Sequence, residues 1–256
     1  MLFDSHAHLN DEKFESDRRQ VIEAMQAAGV SFITNIGDDL PASRQSLALA
    51  KQYCFIYAAV GVHPHNVEHL TEQDMVELAE LAAEEKAVAI GEIGLDYYYD
   101  NSPRDLQKKW FKRQIELALE LDMPITVHNR DANGDCMEIL KTYDIKKIGG
   151  IMHCYSGSPE MAKEVVSLGM YISMAGPVTF KNNRRGVETV REIPLEHMLI
   201  ETDCPYLAPE PVRGTRNDSR NVRYVAEKIA QIKGVSFEEV ARVTLENAKR
   251  VYRINK

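Results

Sequence analysis

The amino-acid sequence predicts an α/β protein of the (β/α)8, or TIM, barrel class. Three observations favour this fold: the chain has 256 residues, short apolar runs alternate with longer segments of helical periodicity, and eight such short runs can be counted. A single α/β barrel commonly fills this length, so we expect one domain over residues 1–256. A doubly wound open sheet would give the same local pattern and is the alternative architecture.

The eight predicted strands are short and rich in apolar and β-branched residues, as buried parallel strands are. They cover residues 2–4, 31–36, 55–62, 87–92, 125–128, 150–153, 171–174 and 198–201. Between them apolar residues recur with a period near 3.6, which predicts amphipathic helices. The predicted helices cover residues 17–28, 42–52, 72–85, 105–121, 133–143, 159–168 and 184–192, and two more, 219–233 and 236–252, follow the last strand.

Capping signals support these helix positions. Thr71 followed by Asp74, and Ser236 followed by Glu239, have the spacing of capping boxes. Each pair predicts the first turn of a helix.

The charge of the chain limits the way in which it can meet nucleic acid. Its formal net charge of −8 speaks against sequence-independent coating of nucleic acid, which depends on a basic surface. A local basic patch stays possible, because Arg213, Arg216, Arg220 and Arg223 lie close together with only Asp218 as a counter-charge among them.

Several classes of protein are not indicated by the sequence. No apolar run approaches the roughly 18 residues of a membrane span, and the first residues do not resemble a signal peptide. The four cysteines show no Cys-x-x-Cys pair or disulfide pattern, and no nucleotide-binding glycine loop is present. We therefore expect a cytoplasmic protein with free thiols, no membrane contact and no obligate protein partner.

Histidines and carboxylates collect at the predicted strand ends. In a barrel of this class, the C-terminal ends of the strands converge on one mouth. Six of the eight histidines occupy such ends, as do two acidic residues, Glu92 after the fourth strand and Asp203 after the eighth. These histidines are His6, His8, His63, His65, His128 and His153.

The His6-Ala7-His8 segment carries the first indication of a metal. Two histidines that are two positions apart on an extended segment project to the same side and can bind one ion. Alone, the pair is as well explained by two hydrogen-bonding histidines. The other imidazoles and carboxylates at the mouth favour one or two divalent ions, Mg²⁺, Mn²⁺ or Zn²⁺. The predicted ligands are His6, His8, Glu92, His128, His153 and Asp203.

Glu92 and Asp203 are also the predicted catalytic residues. A bridging Glu92 would hold two cations about 3.5 to 4 Å apart, the spacing at which a shared water is readily deprotonated. Asp203 could bind a metal and accept that proton. The structural alternatives are a buried ion pair of Glu92 with Arg130 or Lys181, and a helix N-cap or turn at Asp203 before Pro205.

Six motifs follow one another at strand-end spacing over nearly the whole chain. They are FDSHAHL at 3–9, GVHPH at 61–65, IGEIGLDY at 90–97, VHNRDA at 127–132, HCYSG at 153–157 and IETDCPYLAP at 200–209. Together they resemble the motifs of the TatD-type metal-dependent deoxyribonucleases, within the broader metal-dependent amidohydrolase superfamily. Glu92 discriminates most, because many relatives in that superfamily have a carbamylated lysine at strand four.

The resemblance implies a (β/α)8 barrel that hydrolyses DNA phosphodiester bonds, with trimming from 3′ ends in some members. It also implies two metal ions bridged by Glu92, the first bound by His6, His8 and Asp203 and the second by His128 and His153. Two ions suit this chemistry physically, since they can clamp both the attacking and the leaving oxygen of an in-line displacement.

A further segment, RGTRN at 213–217, matches the family's loop after strand eight, where arginine and asparagine face the substrate. Ser219 stands where the family usually has a proline. The predicted substrate-binding residues, which would hold phosphates, are His65, Arg130, Lys181, Arg216 and Asn217. The loop arginines have the alternative of a solvated helix entrance, and residues 97–99, three tyrosines, either stack on bases or pack over the barrel rim.

Three functional hypotheses follow. The first is a metal-dependent DNA phosphodiesterase, an exonuclease acting on single strands, frayed ends or 3′ ends. The second is a metal-dependent amidohydrolase or esterase acting on a small molecule or an aminoacyl ester. The third is a metal-binding scaffold without turnover, which the complete ligand set and a candidate base disfavour.

Overall fold

Eight parallel strands form one sheet in residues 1–254, the part of the chain that the computed structural model describes. Within the sheet they follow chain order, and each pairs in parallel with the next. The strands are β1 (Leu2–Ala7), β2 (Val30–Ile36), β3 (Ile56–Val60), β4 (Ala87–Asp96), β5 (Ile125–Arg130), β6 (Gly150–Met152), β7 (Met170–Met174) and β8 (Met198–Ile200). This order confirms the barrel and excludes the doubly wound sheet, whose strand order reverses.

The barrel closes where the segment after β8 meets the end of β1. Ala7 forms a parallel bridge with Cys204. The backbone N–H groups of Asp203 and His8 donate to the carbonyl oxygens of His6, at 2.9 Å, and Cys204, at 2.8 Å. The closure therefore places Asp203 beside His6, on β1, and His8, directly after β1.

Helices alternate with the strands around the outside. They are α1 (Arg18–Ala27), α2 (Leu40–Gln52), α3 (Glu72–Ala82), α4 (Arg104–Glu120), α5 (Asn133–Lys141), α6 (Ile145–Ile148), α7 (Pro159–Ser167), α8 (Arg184–Glu192), α9 (Val222–Lys233) and α10 (Phe237–Val251). None of these helices of the described chain combines the length and apolarity that crossing a membrane requires. Residues 255 and 256, the end of the domain predicted over 1–256, lie outside the described part, and the single-domain organisation stays a prediction.

The element positions expected from the sequence are confirmed, with differences at their ends. Thr71 and Asp74 form the predicted capping box of α3. The sequence does not predict α6, because four residues are too few to show helical periodicity. Helix α9 begins at Val222, three residues later than predicted, because Ser219–Asn221 form a 3-10 turn that the side chain of Asp218 caps.

The smaller of two buried apolar clusters joins the strands to the C-terminal end of the described chain. It combines strand residues such as Phe3, Ala59 and Leu199 with residues of α10 and the segment that follows it. Tyr252, after α10, is buried there and its hydroxyl donates to the carbonyl oxygen of Ser5 at 2.7 Å. The C-terminal segment thus packs beneath the strand that carries His6 and His8.

Gly94 lies on β4 opposite His128 of β5. Its φ is +142°, and a Cβ at this position would overlap the carbonyl oxygen of His128. We expect Gly94→Ala to lower the free energy of unfolding by about 3 kcal/mol or more, because the disfavoured conformation and the backbone overlap act together. Urea titration monitored by circular dichroism measures this change. Gly134→Ala, whose Cβ would meet nothing within 4 Å, is the control, and equal stability of both variants would contradict the expectation.

Candidate metal centre

A cavity of about 760 Å³ opens at the C-terminal ends of the strands. Its lining includes side chains that follow seven different strands or their connecting loops. Among these are seven of the predicted site residues, which are His8, His65, Glu92, His128, Arg130, His153 and Asp203. His6 is buried directly beside them, 3.2 Å from Glu92 and 3.9 Å, ring to ring, from His153. The structure therefore brings all six predicted metal ligands together.

The first cluster of ligand atoms lies between β1 and the end of β8. The Nε2 atoms of His6 and His8 are 3.1 Å apart. Oε2 of Glu92 lies 3.2 Å and 3.6 Å from them, and Oδ1 of Asp203 lies 3.6 Å and 3.5 Å from them. Four ligand atoms thus face a common point.

The second cluster surrounds the other oxygen of the same glutamate. Oε1 of Glu92 lies 2.8 Å from Nε2 of His153, 2.9 Å from Nδ1 of His128 and 3.6 Å from Nε2 of His63. The His128 and His153 nitrogens are 3.3 Å apart. Glu92 is only 3% exposed and therefore joins two clusters in the interior of the site.

These distances fit divalent metal ions. Ligand atoms that share an ion at about 2.1 Å lie roughly 3.0 to 3.4 Å from one another. The separations in both clusters are close to this range, and the donors are imidazole nitrogens and carboxylate oxygens, which borderline divalent ions accept. Groups able to hold an ion include His6 with His8 and Asp203, and His63 with Glu92 and His128.

The charges of the site keep its carboxylates ionised. Burial would raise the pKa of the Glu92 carboxyl, but His153, His6 and the other imidazoles outweigh it and lower that pKa well below its ordinary value. The pKa of Asp203 is lowered against burial in the same way. Burial would lower the pKa of His153, but the carboxylates of Glu92 and Glu201 raise it well above the usual range. A carboxylate that binds a metal must be ionised, so this environment suits that role.

Three of the imidazole rings have a hydrogen-bond partner at the ring nitrogen that faces away from its cluster. Oδ2 of Asp96 lies 3.0 Å from Nε2 of His128, and Oε1 of Glu201 lies 3.3 Å from Nδ1 of His153. The carbonyl oxygen of Ile36 lies 3.2 Å from Nδ1 of His8. Such partners fix the orientation of metal-binding histidines.

Three residues of the site were missed as site residues by the sequence reasoning. They are His63, Asp96 and Glu201, and each lies inside a motif quoted above. A signal was present for all three, because His63 and Glu201 each stand two positions, and Asp96 four positions, from a predicted site residue on the same strand end. Which residues of a strand end enter the site depends on the direction in which their side chains point. The motif alone does not give that direction.

The structural alternative for Glu92 is not what the structure shows: its carboxylate contacts five histidines, and its described ion pairs include neither Arg130 nor Lys181. The predicted turn at Asp203 is present, because the backbone N–H of Tyr206 donates to the Asp203 carbonyl oxygen at 3.0 Å. The Asp203 side chain nevertheless lies beside His6 and His8, and no helix of the described chain begins there.

Two of the five predicted substrate-binding residues lie at the cavity. His65 lines it, and its Nε2 is 3.0 Å from Oδ2 of Asp96. Arg130 lines it at the end of β5, and none of the ion pairs in the described chain involves its guanidinium group. Arg130 is also the only lysine or arginine among the described cavity-lining residues.

The other three predicted substrate-binding residues lie elsewhere in the structure. Lys181 is exposed, outside the cavity lining. The guanidinium of Arg216 pairs with the carboxylate of Asp17 at 2.6 Å and 2.8 Å. Asn217 is fully buried, and its amide group donates to the backbone oxygens of Thr202 and Tyr206. For these three residues, contact with substrate stays a prediction.

The loop after β8 is not a patch of unpaired charge. Its arginines all form ion pairs with carboxylates: Arg213 with Glu210, Arg216 with Asp17, Arg220 with Asp218, and Arg223 with Glu227. This arrangement corresponds to the alternative of a solvated, ion-paired helix entrance. Ser219 is buried at the start of the 3-10 turn, which defines the course of the loop where the proline was expected.

Metal removal is expected to lower the thermal stability of the protein. An ion that binds only the folded state adds about 2.7 kcal/mol at a hundredfold excess over its Kd. For a domain of this length, that corresponds to a Tm shift of roughly 5 to 10 °C. Calorimetry of protein treated with chelator and then reloaded with Mn²⁺ or Zn²⁺ measures the shift. A Tm that does not respond to chelator or to added metal would count against a metal centre.

Comparison with known proteins gives one family over almost the whole chain. Residues 3–253 match the family model described as TatD related DNase. An uncharacterized metal-dependent hydrolase of Bacillus subtilis, YabD, is 51% identical over 255 residues and the match covers 100% of both chains. The 3′-5′ ssDNA/RNA exonuclease TatD of Shigella flexneri is 34% identical over 261 residues, covering 99% of each.

Solved structures show the same fold. The crystal structure of YJJV, a TatD homolog from Escherichia coli, superposes with a TM-score of 0.92 at 27% identity. The superposition covers 99% of this chain and 98% of that one. The fold is therefore shared over almost the whole of both chains.

Proposed function

The chain belongs to the TatD related DNase family of metal-dependent hydrolases, and from this premise we propose that it cleaves phosphodiester bonds of DNA as an exonuclease. Its proposed substrates are single strands or frayed ends, digested from the 3′ end. The observation that carries this proposal is the Glu92 carboxylate, whose two oxygens face two separate clusters of imidazole nitrogens at one cavity. The relative named as a 3′-5′ ssDNA/RNA exonuclease supports the choice of substrate.

In this proposal each of the two clusters would hold one divalent ion. His6, His8 and Asp203 would hold the first and His128 and His153 the second, with His63 adjacent and Glu92 available to both. Mg²⁺ prefers oxygen ligands, so the imidazole-rich donor set favours Mn²⁺ or Zn²⁺. When bound, two such ions would supply a nucleophilic water at neutral pH and stabilise both the attacking and the leaving oxygen.

The chain's own residues provide proton transfer and orientation. The Asp203 side chain is 14% exposed and lines the cavity, so its ionised carboxylate can accept a proton from the attacking water. Arg130, which has no carboxylate partner among the described residues, binds a phosphate of the substrate through its planar guanidinium group. His65 lies on the same side of the cavity and contacts the same strand of substrate.

The depth of the site favours strand ends. Glu92 is 3% exposed and His6 is 1% exposed, so a scissile phosphate must enter the cavity to reach them. A duplex is wide and stiff, so its phosphates cannot enter such a cavity as easily as those of a single strand. A single-stranded or frayed terminus is narrow and flexible enough to enter.

End-blocked oligonucleotides test the proposal. Single strands carrying either a 3′ or a 5′ block are incubated with enzyme and Mn²⁺ or Mg²⁺, and the products are resolved by length. We expect progressive shortening of the 5′-blocked strand, protection of the 3′-blocked strand and no products with chelator. If both strands stay intact while an unrelated nuclease degrades them, the proposal fails.

A parallel screen tests the second hypothesis. Ester and amide substrates, including an aminoacyl ester, are offered to the wild-type protein and to Glu92→Ala as the blank. Metal-dependent turnover of these compounds without cleavage of DNA would replace the nuclease by an amidohydrolase or esterase. The proposal also places the enzyme in the cytoplasm, the location expected from the sequence.

A further inference from the structure

Two adjacent tyrosines are exposed on the rim of the cavity. Tyr98 is 59% exposed and Tyr99 is 56% exposed, although both follow directly after buried strand β4. Their rings lie 4.9 Å apart and nearly perpendicular, at 88°. Exposed aromatic side chains beside a binding cavity often contact a ligand. We call Tyr98 and Tyr99 the tyrosine pair.

The tyrosine pair differs from the preceding Tyr97, which has structural contacts. The hydroxyl of Tyr97 donates to Asp135 at 2.5 Å, and the guanidinium of Arg104 lies 4.3 Å from its ring centroid. Within residues 1–254, the rings of the tyrosine pair have no such contact with the helices outside the barrel. The sequence left two explanations for the three tyrosines, packing over the barrel rim and stacking on bases. Packing therefore explains Tyr97, whereas the tyrosine pair is free to stack on a base.

The carboxylate of Asp96 connects the tyrosine pair to the metal centre. Its Oδ2 lies 3.0 Å from both His65 and His128. Its Oδ1 accepts hydrogen bonds from the backbone N–H groups of Tyr98, at 3.0 Å, and Tyr99, at 2.9 Å. The buried Asp96 side chain thus orients both His128, a predicted metal ligand, and the backbone of the tyrosine pair. A substrate base that contacts the tyrosine pair therefore has a defined position relative to the metal centre.

Arg130 lies against the tyrosine pair. Its guanidinium carbon lies 4.3 Å from the ring centroid of Tyr98 and 4.8 Å from that of Tyr99. Stacking against aromatic rings holds the planar cation in place and leaves its N–H groups free for an anion. Tyr99 lines the cavity and meets His65 edge to face at 5.5 Å. An aromatic face and an oriented cation are therefore presented side by side.

We propose that Tyr99 and Arg130 form a subsite for one nucleotide next to the scissile phosphate. The base, unstacked from its neighbours, stacks on Tyr99, while its phosphate pairs with Arg130, which Tyr98 holds in place. This subsite requires an unpaired base and is the feature by which the enzyme selects single strands. The inference rests on the proposed nuclease function and names residues for its substrate preference.

Tyr99→Leu tests the stacking role, and Tyr99→Phe is the conservative variant. Loss of one base–aromatic contact is expected to raise the KM for a single-stranded oligonucleotide about 10- to 100-fold. We expect kcat to change less than about twofold, because the metal ligands are untouched, and Tyr99→Phe to behave as wild type. The same rise is expected in the Kd of an oligonucleotide with phosphorothioate linkages at its 3′ end, measured by fluorescence anisotropy.

Tyr224→Leu is the matched control. Tyr224 lies on α9, where Arg223 approaches its ring at 5.6 Å, and it does not line the cavity. This tyrosine and arginine pair repeats the chemistry of the rim at another place in the fold. Its removal is expected to leave both KM and Kd unchanged, and a rise equal to that of Tyr99→Leu would overturn the proposal.

Abasic oligonucleotides locate the stacked base. Single abasic positions are placed in turn at the four nucleotides nearest the 3′ end. At one of them the wild-type enzyme should lose about tenfold or more in affinity, and Tyr99→Leu should lose nothing further. Equal losses in both proteins at every position would overturn stacking on Tyr99.

Salt dependence tests the arginine. Arg130→Gln is expected to reduce the slope of log Kd against log salt concentration by about one, the value for one phosphate contact. An unchanged slope would overturn the phosphate assignment. If the wild-type protein neither binds nor cleaves single strands, the proposed function fails and this inference with it; normal cleavage by all variants overturns the inference alone.

Discussion

Replacing Glu92 with glutamine is expected to lower kcat/KM on single-stranded DNA by about 1,000-fold or more. The two oxygens of Glu92 lie in two clusters, and each is within 3.2 Å of an imidazole nitrogen. Glutamine keeps the size but offers one oxygen, one NH2 group and no charge, so one cluster loses its shared ligand. A loss of about 4 kcal/mol of transition-state stabilisation corresponds to that factor.

Metal content and activity should fall together in Glu92→Gln. Elemental analysis of the reloaded protein is expected to give at most one ion per chain, against up to two for the wild type. Glu227→Gln is the control, because Glu227 is an exposed glutamate that pairs with Arg223 on α9. A Glu92→Gln protein that keeps two ions and more than a tenth of the activity would refute the bridging role.

Asp203→Asn is expected to lower kcat by about 100- to 10,000-fold, the usual contribution of a general base. Asparagine has the same shape but cannot accept a proton, and it replaces the ionised carboxylate that lies 3.5 Å from His8 and 3.6 Å from His6. KM should change little, since the proposed substrate contacts are made by Arg130 and Tyr99, and the ring contacts that hold Arg130 do not involve Asp203.

Steady-state kinetics at saturating metal separates proton transfer from metal loss in Asp203→Asn. Asp122→Asn is the control, because Asp122 is an exposed aspartate that pairs with Arg253. Substantial residual activity in both Asp203→Asn and Asp203→Ala, with the fold intact by circular dichroism, would remove Asp203 from its proposed role. Activity restored by a higher metal concentration would show that Asp203 serves as a ligand rather than as a base.

The position of the metal centre could be predicted from the sequence because strand ends in a barrel converge. Once eight strands were placed, His6, Glu92 and His128 had to approach one another despite their separation along the chain. The distances between their atoms now show that they do. The positions of the strand ends were therefore sufficient to predict that these residues come together at this site.

The surroundings of the centre could not be predicted in the same way. The arginine loop looked unpaired because only Asp218 lies within it, yet Arg216 pairs with Asp17, which is almost two hundred positions earlier. Likewise, Asp96 divides its two oxygens between imidazoles and backbone amides, a choice that depends on side-chain rotamer. Contacts between distant segments and rotamers are set by packing, which a single sequence does not display.

The position of Tyr252 has a consequence for the synthesis of the protein. Its hydroxyl donates to the backbone of Ser5, 247 positions away, and α10 packs against β1. A nascent chain that lacks α10 and Tyr252 therefore lacks these contacts beneath His6. Because a domain folds as a unit, we expect growing chains on the ribosome to take up metal only after this last helix has emerged.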